Sequence, residues 1–322
     1  MKKIFSRRDF VKGIASVGGL VAVSKLPALA DDGAAFFPSR GKWERLVLAY
    51  NQIEIGATKP FSILHISDTH LTQAYPHENT QSLKLKELRT KTFGGRQEEA
   101  LRDSIKWAKE NVDFLLHTGD LIDWQSEANF DLVKKYFGSE TFGAVGNHEY
   151  SRSISPTGVK YNEDYKNGMR DKVAAAFPFD IAFDSKVVNG VNFVSLDDVF
   201  GYVTENQVER FHAEVKKGLP IILCMHVPFY TQKIWNASRK FWSAVGKKYS
   251  TLKDRPWESS GDIQLKDKVT SDFIAYLKNE KLLRGILAGH AHITIQDRFS
   301  PSAIEYVVGG NFHFHGQEII FT

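Results

Sequence analysis

The chain has 322 residues, of which 42% are hydrophobic and 25% are charged; this is an ordinary globular composition and excludes a disordered or fibrous protein. Its formal net charge of +4 arises in residues 1–30, which carry six Lys or Arg and one acidic residue, so that the remaining 36 basic and 37 acidic residues have a net charge of −1. Because the basic excess is confined to this short segment, we predict no nucleic-acid partner.

Residues 1–30 have the organisation of an export signal. A basic start precedes the apolar stretch Gly13–Val23, and small residues around an Ala-x-Ala site end at Ala30. The run Ser6-Arg7-Arg8-Asp9-Phe10-Val11-Lys12 resembles the twin-arginine signal of bacterial export. We expect cleavage after Ala30, with no membrane span afterwards, and a periplasmic or extracellular location reached through the twin-arginine export machinery. The alternative is an uncleaved membrane anchor, although the apolar stretch is short for a bilayer.

The first elements after the signal are strands and helices in alternation. Arg45–Ile55 alternates like a strand and is predicted to form an edge hairpin with Phe61–Ser67. Residues 71–95 show no regular pattern and are predicted to be irregular. Apolar spacing of three and four predicts helices over Gln97–Asn111 and Gln125–Phe137.

The second half continues in the same way. Asn189-Gly190 suits a type I′ turn, and Thr204 begins a capping box that predicts a helix start. The further predicted elements are a helix around Lys172–Ala176, a hairpin over Ile181–Leu196, a helix over Thr270–Asn279, and strands at Ile293–Phe299, Ile304–Val308 and Glu318–Phe321 that close a second sheet.

Five apolar, strand-like runs end in residues that commonly ligate metals. The motifs are Asp68-Thr69-His70 after Ile63–Ser67, Gly119-Asp120 after Phe114–Thr118, Gly146-Asn147-His148-Glu149 after Phe142–Val145, His226 after Ile221–Met225, and Gly289-His290-Ala291-His292 after Ile286–Ala288. One histidine beside an apolar run is usually a hydrogen-bonded core residue. Five strands that end alike favour a metal site, because open α/β sheets place ligands beyond the carboxyl ends of their strands.

In this order, Asp-x-His, Gly-Asp-x-x-Asp, Gly-Asn-His-Glu, His-x-Pro and Gly-His-x-His resemble the motifs of the calcineurin-like metallophosphoesterase superfamily. The motifs extend from Asp68 to His292 and cover most of the chain. The resemblance implies an α/β/β/α sandwich of two mixed β-sheets flanked by helices, which agrees with one domain over residues 31–322. It also implies a binuclear metal-dependent phosphoesterase that hydrolyses phosphomonoesters or phosphodiesters by attack of metal-bound hydroxide.

By the same resemblance, Asp120 bridges two divalent metal ions. The first metal's other ligands are then Asp68, His70 and His292, and the second metal's are Asn147, His226 and His290. This mixture of imidazole, carboxylate and amide oxygen suits Mn, Fe or Zn.

His148 corresponds to the family's residue that stabilises the phosphoryl group or protonates the leaving oxygen. Asp123 is expected to support a histidine ligand. Its presence, together with His70, argues against purple acid phosphatases, which have a tyrosine at the position of Asp123. Glu149 is expected either to orient His148 or to be a surface carboxylate.

The remaining candidates are weaker. Cys224, the only cysteine, lies in an apolar run and is expected to be a small buried hydrophobe. Residues 227–261 are an insertion with many aromatic and basic residues; they form either a lid over a phosphorylated small-molecule or lipid-like substrate or an excursion packed on the core. The polar residues left out of the site are His65, His117, Asp197, Asp198, His313 and His315.

The sequence leaves two rival functions open. One is a pyrophosphatase that acts on a nucleotide or lipid carrier. The other is a non-catalytic binding scaffold with the same fold; the complete set of ligand residues argues against it.

Overall fold

The computed structural model describes residues 37–38, 45–152, 162–245, 264 and 267–322. The expected signal peptide and residues 246–261 of the expected lid lie outside the described residues. The strands are β1 (Phe37–Pro38), β2 (Val47–Ile53), β3 (Phe61–Ile66), β4 (Phe114–Thr118), β5 (Phe142–Ala144), β6 (Phe183–Val188), β7 (Val191–Leu196), β8 (Ile221–Cys224), β9 (Leu283–Ala288), β10 (Ile295–Arg298), β11 (Ile304–Val307) and β12 (His315–Phe321). The α-helices are α1 (Thr80–Thr92), α2 (Gln97–Asn111), α3 (Glu127–Tyr136), α4 (Glu163–Ala174), α5 (Glu205–Val215), α6 (Gln232–Val245) and α7 (Lys268–Leu277).

The strands form two six-stranded mixed sheets, with the orders β1-β2-β12-β3-β4-β5 and β10-β11-β9-β8-β7-β6. Apolar side chains of both sheets meet between them. Phe61 and Phe321 of the first sheet stack with their ring centroids 4.8 Å apart, and Phe193 of the second sheet meets both edge-on. Burial of such large rings removes much apolar surface from water and holds the two sheets together.

Helices cover the outer face of each sheet. Leu101 and Trp107 of α2 and Val133 of α3 are buried in the apolar cluster over the first sheet. Phe211 of α5 and Phe273 of α7 are buried in the corresponding cluster over the second. The predicted four-layer α/β/β/α sandwich is thus confirmed. Among the described residues, no helix is both long enough and apolar enough to cross a membrane.

The directions of the strands determine where the functional residues can meet. In the first sheet β3, β4 and β5 run parallel, and in the second β7, β8, β9 and β11 run parallel. Parallel neighbours end at the same edge of a sheet, so the loops after them lie side by side.

Several local predictions are confirmed. The helix over Gln97–Asn111 has the predicted bounds, and the turn at Asn189-Gly190 has φ angles of 48° and 81°. Thr204 and Gln207 form the reciprocal hydrogen bonds of the capping box. The helix expected around Lys172–Ala176 is longer and begins at Glu163.

The predicted hairpin between Arg45–Ile55 and Phe61–Ser67 is wrong. The last strand, β12, lies between β2 and β3, pairing parallel with the former and antiparallel with the latter. Glu318–Phe321 therefore belongs to the first sheet, not to the second. The reason is burial: Ile319 and Phe321 of β12 are fully buried between the sheets, at a position that a two-stranded edge hairpin would have left open.

Residues 71–95 are also not irregular throughout, because they contain α1. The sequence gives no apolar stripe there, since only Ser82 and Leu85 of this helix are buried. Its start is fixed instead by the side chain of Asn79, which accepts a hydrogen bond from the backbone N–H of Ser82.

Candidate metal centre

The ligand-type residues singled out in the sequence come together where the two sheets end. They are Asp68 and His70 after β3, Asp120 after β4, Asn147 and His148 after β5, His226 after β8, and His290 and His292 after β9. The loops that carry them are short, so each side chain is held close to the end of a rigid strand.

The backbone of these loops is strained at the site. Asp68, His70, Asp120, His290 and His292 all have left-handed φ angles, between 51° and 62°. Such angles are uncommon for residues other than glycine, and they persist where the surrounding structure fixes them, often at functional sites.

Gly119 allows the loop after β4 to turn tightly. Its φ is 96°, and a Cβ atom at this position would lie 2.6 Å from Nδ1 of His226 and 2.7 Å from the backbone nitrogen of Gly146. No other residue fits, so the glycine permits Asp120, the next residue, to approach the histidine from the second sheet.

The first group of side chains consists of Asp68, His70 and His292. Nε2 of His292 lies 3.2 Å from Oδ1 of Asp68 and 3.0 Å from Nε2 of His70. Two imidazole nitrogens and a carboxylate oxygen thus face one another, which is a donor set that suits a borderline divalent cation.

The second group consists of Asp120, His226 and His290. Oδ2 of Asp120 lies 3.3 Å from Nε2 of His226, which in turn is 3.2 Å from Nδ1 of His290. The same Oδ2 lies 3.8 Å from Nε2 of His70 in the first group. Asp120 therefore faces both groups at once.

Asn147 supplies a direct test of whether a metal fits. Its Oδ1 is buried and has no hydrogen-bond partner among the described residues. A buried amide oxygen without a partner is costly, and a cation beside it would remove that cost. The residues present therefore fit the metal-binding role.

The electrostatics of the centre point the same way. Burial alone would raise the pKa of Asp120, but the charges of His226 and His148 outweigh it and hold the pKa well below its usual range. Burial lowers the pKa of His226, but the Asp120 carboxylate outweighs this effect and raises it to about 10. The buried carboxylate of Asp120 thus requires positive charge nearby, which divalent cations would supply.

Asp123 orients two of the histidines. Its Oδ1 lies 3.0 Å from Nδ1 of His70, and its backbone carbonyl oxygen accepts a hydrogen bond from Nδ1 of His148 at 2.7 Å. Nε2 of each ring therefore points towards Asp120. Burial lowers the pKa of His148, but Asp120 and Asp123 outweigh it and raise the pKa to about 9.

Arg89 is a residue that sequence reasoning missed. Its guanidinium donates to both carboxylate oxygens of Asp123, at 2.6 and 2.9 Å. Because Arg89 lies on α1, in a segment expected to be irregular, no motif or periodicity pointed to it.

The environment of Glu149 differs from both expectations. It is fully buried and accepts hydrogen bonds from the backbone N–H groups of Asp120, Ile122 and Gly146 at 2.9, 3.1 and 2.6 Å. It is thus neither a surface carboxylate nor a partner of His148; it ties the loop after β4 to the loop after β5. Burial, with the charge of Asp120, raises its pKa to about 7.

Two of the histidines left out of the site are hydrogen-bonded core residues, as expected. His65 bonds to Thr118 and Gln317, and His117 to Thr69. Burial lowers the pKa of each to about 3, so both stay neutral. Cys224 is buried, also as expected.

The two aspartates left out hold neighbouring structure. Asp197 pairs with the buried Lys166 at 2.9 Å. Asp198 supports the centre in a way that no sequence motif indicates. Its Oδ1 accepts hydrogen bonds from the backbone N–H groups of His226 and Val227 and so fixes the loop after β8. His313 is exposed and His315 is half-buried, and both line a cavity beside the centre.

Fold and site together define a metal-dependent phosphoric ester hydrolase. Residues 61–294 match the family model for calcineurin-like phosphoesterases, and the chain belongs to that family. A comparison with curated protein sequences gave no significant match.

Solved structures that are similar to this chain have low sequence identity to it. A dimetal phosphatase from Danio rerio is 14% identical, with a TM-score of 0.47 over 80% of this chain and 91% of that one. A 5′-nucleotidase from Candida albicans is 14% identical, with a TM-score of 0.37 over 82% and 47% of the two chains. A calcineurin-like phosphoesterase from Bacillus subtilis is 13% identical, with a TM-score of 0.35 over 79% and 82%.

Proposed function

We propose that this protein is an exported, binuclear phosphoesterase that hydrolyses phosphomonoesters or phosphodiesters. The observation that carries the proposal is the position of Asp120, whose Oδ2 faces His70 on one side and His226 on the other. A carboxylate between two groups of ligands is the natural bridge between two cations, because it offers two oxygens and offsets charge.

In this proposal Asp68, His70 and His292 share one divalent ion with Asp120. Asn147, His226 and His290 share the second, again with Asp120. Mn, Fe and Zn all suit these ligands. A pair of divalent cations supplies positive charge that polarises a phosphoryl group and activates water.

His148 acts on the substrate itself. Its Nδ1 is engaged with the carbonyl oxygen of Asp123, so Nε2 is the atom available to the reaction, 3.9 Å from Oδ2 of Asp120. From there a protonated imidazole can donate to a phosphoryl oxygen or pass its proton to the leaving oxygen. A general acid of this kind contributes ~10²–10⁴-fold to rate.

Metal-dependent turnover is the test of this function. Protein without residues 1–30 is stripped with a chelator, reloaded separately with Mn, Fe or Zn, and supplied with p-nitrophenyl phosphate and bis(p-nitrophenyl) phosphate. We expect metal analysis to give two ions per chain and hydrolysis to require them. Binding of two ions without hydrolysis of either ester would instead favour the binding scaffold.

Arg89→Ala tests whether Arg89 supports the proposed metal ligand His70 by holding Asp123 in place. Without the guanidinium, Asp123 loses the partner that holds it against His70, and we expect metal affinity to fall ~10–100-fold, the usual effect of losing an outer partner of a ligand. Affinity is measured by titrating metal-free protein against a chromophoric chelator. Arg96→Ala is the matched control, since Arg96 is exposed and pairs with Glu99. Wild-type affinity in Arg89→Ala would contradict the role.

The export part of the proposal rests on residues 1–30, with residues 31–322 as the catalytic domain. Arg7 and Arg8 are the pair that the twin-arginine machinery would read. Replacing both with Lys is expected to leave the protein in the cytoplasm of a bacterial host, as followed by cell fractionation. Periplasmic accumulation of that variant would refute this route.

A further inference from the structure

A cavity of about 820 Å³ adjoins the metal centre. Helix α6 forms one wall, and the segments 292–295 and 310–315 form the other. The volume lies within the range of sites that hold drug-sized molecules, ~300–1,000 Å³. His292 belongs both to the cavity lining and to the first group of ligand-type residues, so the cavity borders the metal centre.

The walls of the cavity are mainly apolar. Ala237 and Phe241 of α6 line it together with Ile293, Ile295 and Phe312. No aspartate or glutamate is among the described residues that line it. The lining includes Lys233 and Lys240, both exposed on α6, whose positive charge favours the approach of an anionic phosphate ester.

Packing against the core accounts for only part of α6. Ile234 is buried in the apolar cluster over the second sheet and anchors the helix there. Phe241 lies outside that cluster and lines the cavity instead, and the ring of Trp242 lies 5.0 Å from that of His292. At this end of the helix Phe241 therefore faces the cavity, and Trp242 lies against His292.

We infer that the leaving group of the substrate is bulky and apolar, of the size of two fused rings, and that it binds in this cavity against Ala237 and Phe241. The inference rests on the proposed function. The cavity beside His292 offers apolar surface to a group that is attached to a phosphoryl group at the metal centre. A leaving group placed there is removed from water, and this burial contributes to binding.

The experiment compares two aryl esters of similar leaving-group acidity, phenyl phosphate and 1-naphthyl phosphate, with the metal-loaded full chain. We expect kcat/KM to be about 10-fold higher for the naphthyl ester, the effect of a few added apolar atoms in a fitted pocket. Ala237→Trp, which fills the cavity, and Phe241→Ala, which removes a wall, are both expected to bring this ratio close to one.

Arg239→Ala is the control on the same helix, because Arg239 lies over the ring of Trp235 and does not line the cavity. In Arg239→Ala the ratio of kcat/KM for the naphthyl ester to that for the phenyl ester should equal that of the wild type. Calorimetry with 1-naphthylmethylphosphonate and methylphosphonate gives a second readout, in which only the larger ligand should lose affinity in Ala237→Trp.

The outcomes separate the two proposals. If these two monoesters and both p-nitrophenyl esters stay intact, the proposed function fails. If only the diester is hydrolysed, the function stands, and equal calorimetric affinities of the two phosphonates overturn the assignment of the cavity. If both esters are hydrolysed at a ratio that is near one, or that neither cavity variant changes, the function stands and the assignment of the cavity to the leaving group is overturned.

Discussion

Asp120→Asn is expected to abolish nearly all turnover while the protein stays folded. The amide keeps the shape of the side chain and an oxygen that can accept from the backbone N–H of His148, as Oδ1 of Asp120 does at 2.9 Å. It loses the negative charge that faces His70 and His226. If Asp120 bridges two cations as proposed, losing its charge removes ~4 kcal/mol of transition-state stabilisation, or about 10³-fold in kcat.

The measurement is phosphate release together with metal content and a thermal unfolding curve. Asp131→Asn is the control, since it makes the same change at an exposed carboxylate on α3 that accepts from the hydroxyl of Tyr75. Activity in Asp120→Asn within a few-fold of the wild type would refute the bridging role. A large fall in the unfolding temperature would show that the residue acts on stability instead.

Glu149→Gln is expected to lower both stability and activity. Both carboxylate oxygens accept from backbone N–H groups, so the NH₂ of a glutamine must face at least one donor. A buried N–H left without an acceptor costs ~1–3 kcal/mol in the free energy of unfolding. Because one of these donors is the N–H of Asp120, we expect Asp120 to shift and kcat to fall ~10–100-fold.

Glu78→Gln is the matched control. Glu78 also accepts from backbone N–H groups, those of Tyr75, Glu127 and Ala128, but it is only half-buried. Water can accept from the backbone N–H that loses its acceptor, so the free energy of unfolding measured in urea and the turnover should change little. Equal effects in the two variants would show that Glu149 has no special part in holding the two loops.

The features that the sequence could predict are those fixed by local chemistry. The capping box at Thr204, the turn at Asn189-Gly190 and the helix over Gln97–Asn111 each depend on residues a few positions apart. The ligand-type residues could be found for a related reason: each follows its own strand directly, and parallel strands bring such ends together.

What the sequence could not predict depends on distant partners. The position of β12 is decided by which strands bury Ile319 and Phe321 on both sides. Helix α1 has almost no apolar face, and Arg89 of this helix makes its contact with Asp123 across 34 positions of the chain. The residues around Glu149 in the sequence do not indicate its partners, and only the fold shows that three backbone N–H groups surround it.

Because β12 lies between β2 and β3, the first sheet can be completed only late in the synthesis of the chain. Its partners β2 and β3 are synthesised early, yet they cannot be joined until residues 315–321 have left the ribosome, after all the strands of the second sheet. Pairings between such distant segments are slow to form, and an open pair of strand edges is exposed to aggregation in the meantime. Nascent chains stalled before residue 315 should therefore hold an incomplete first sheet and depend on chaperones.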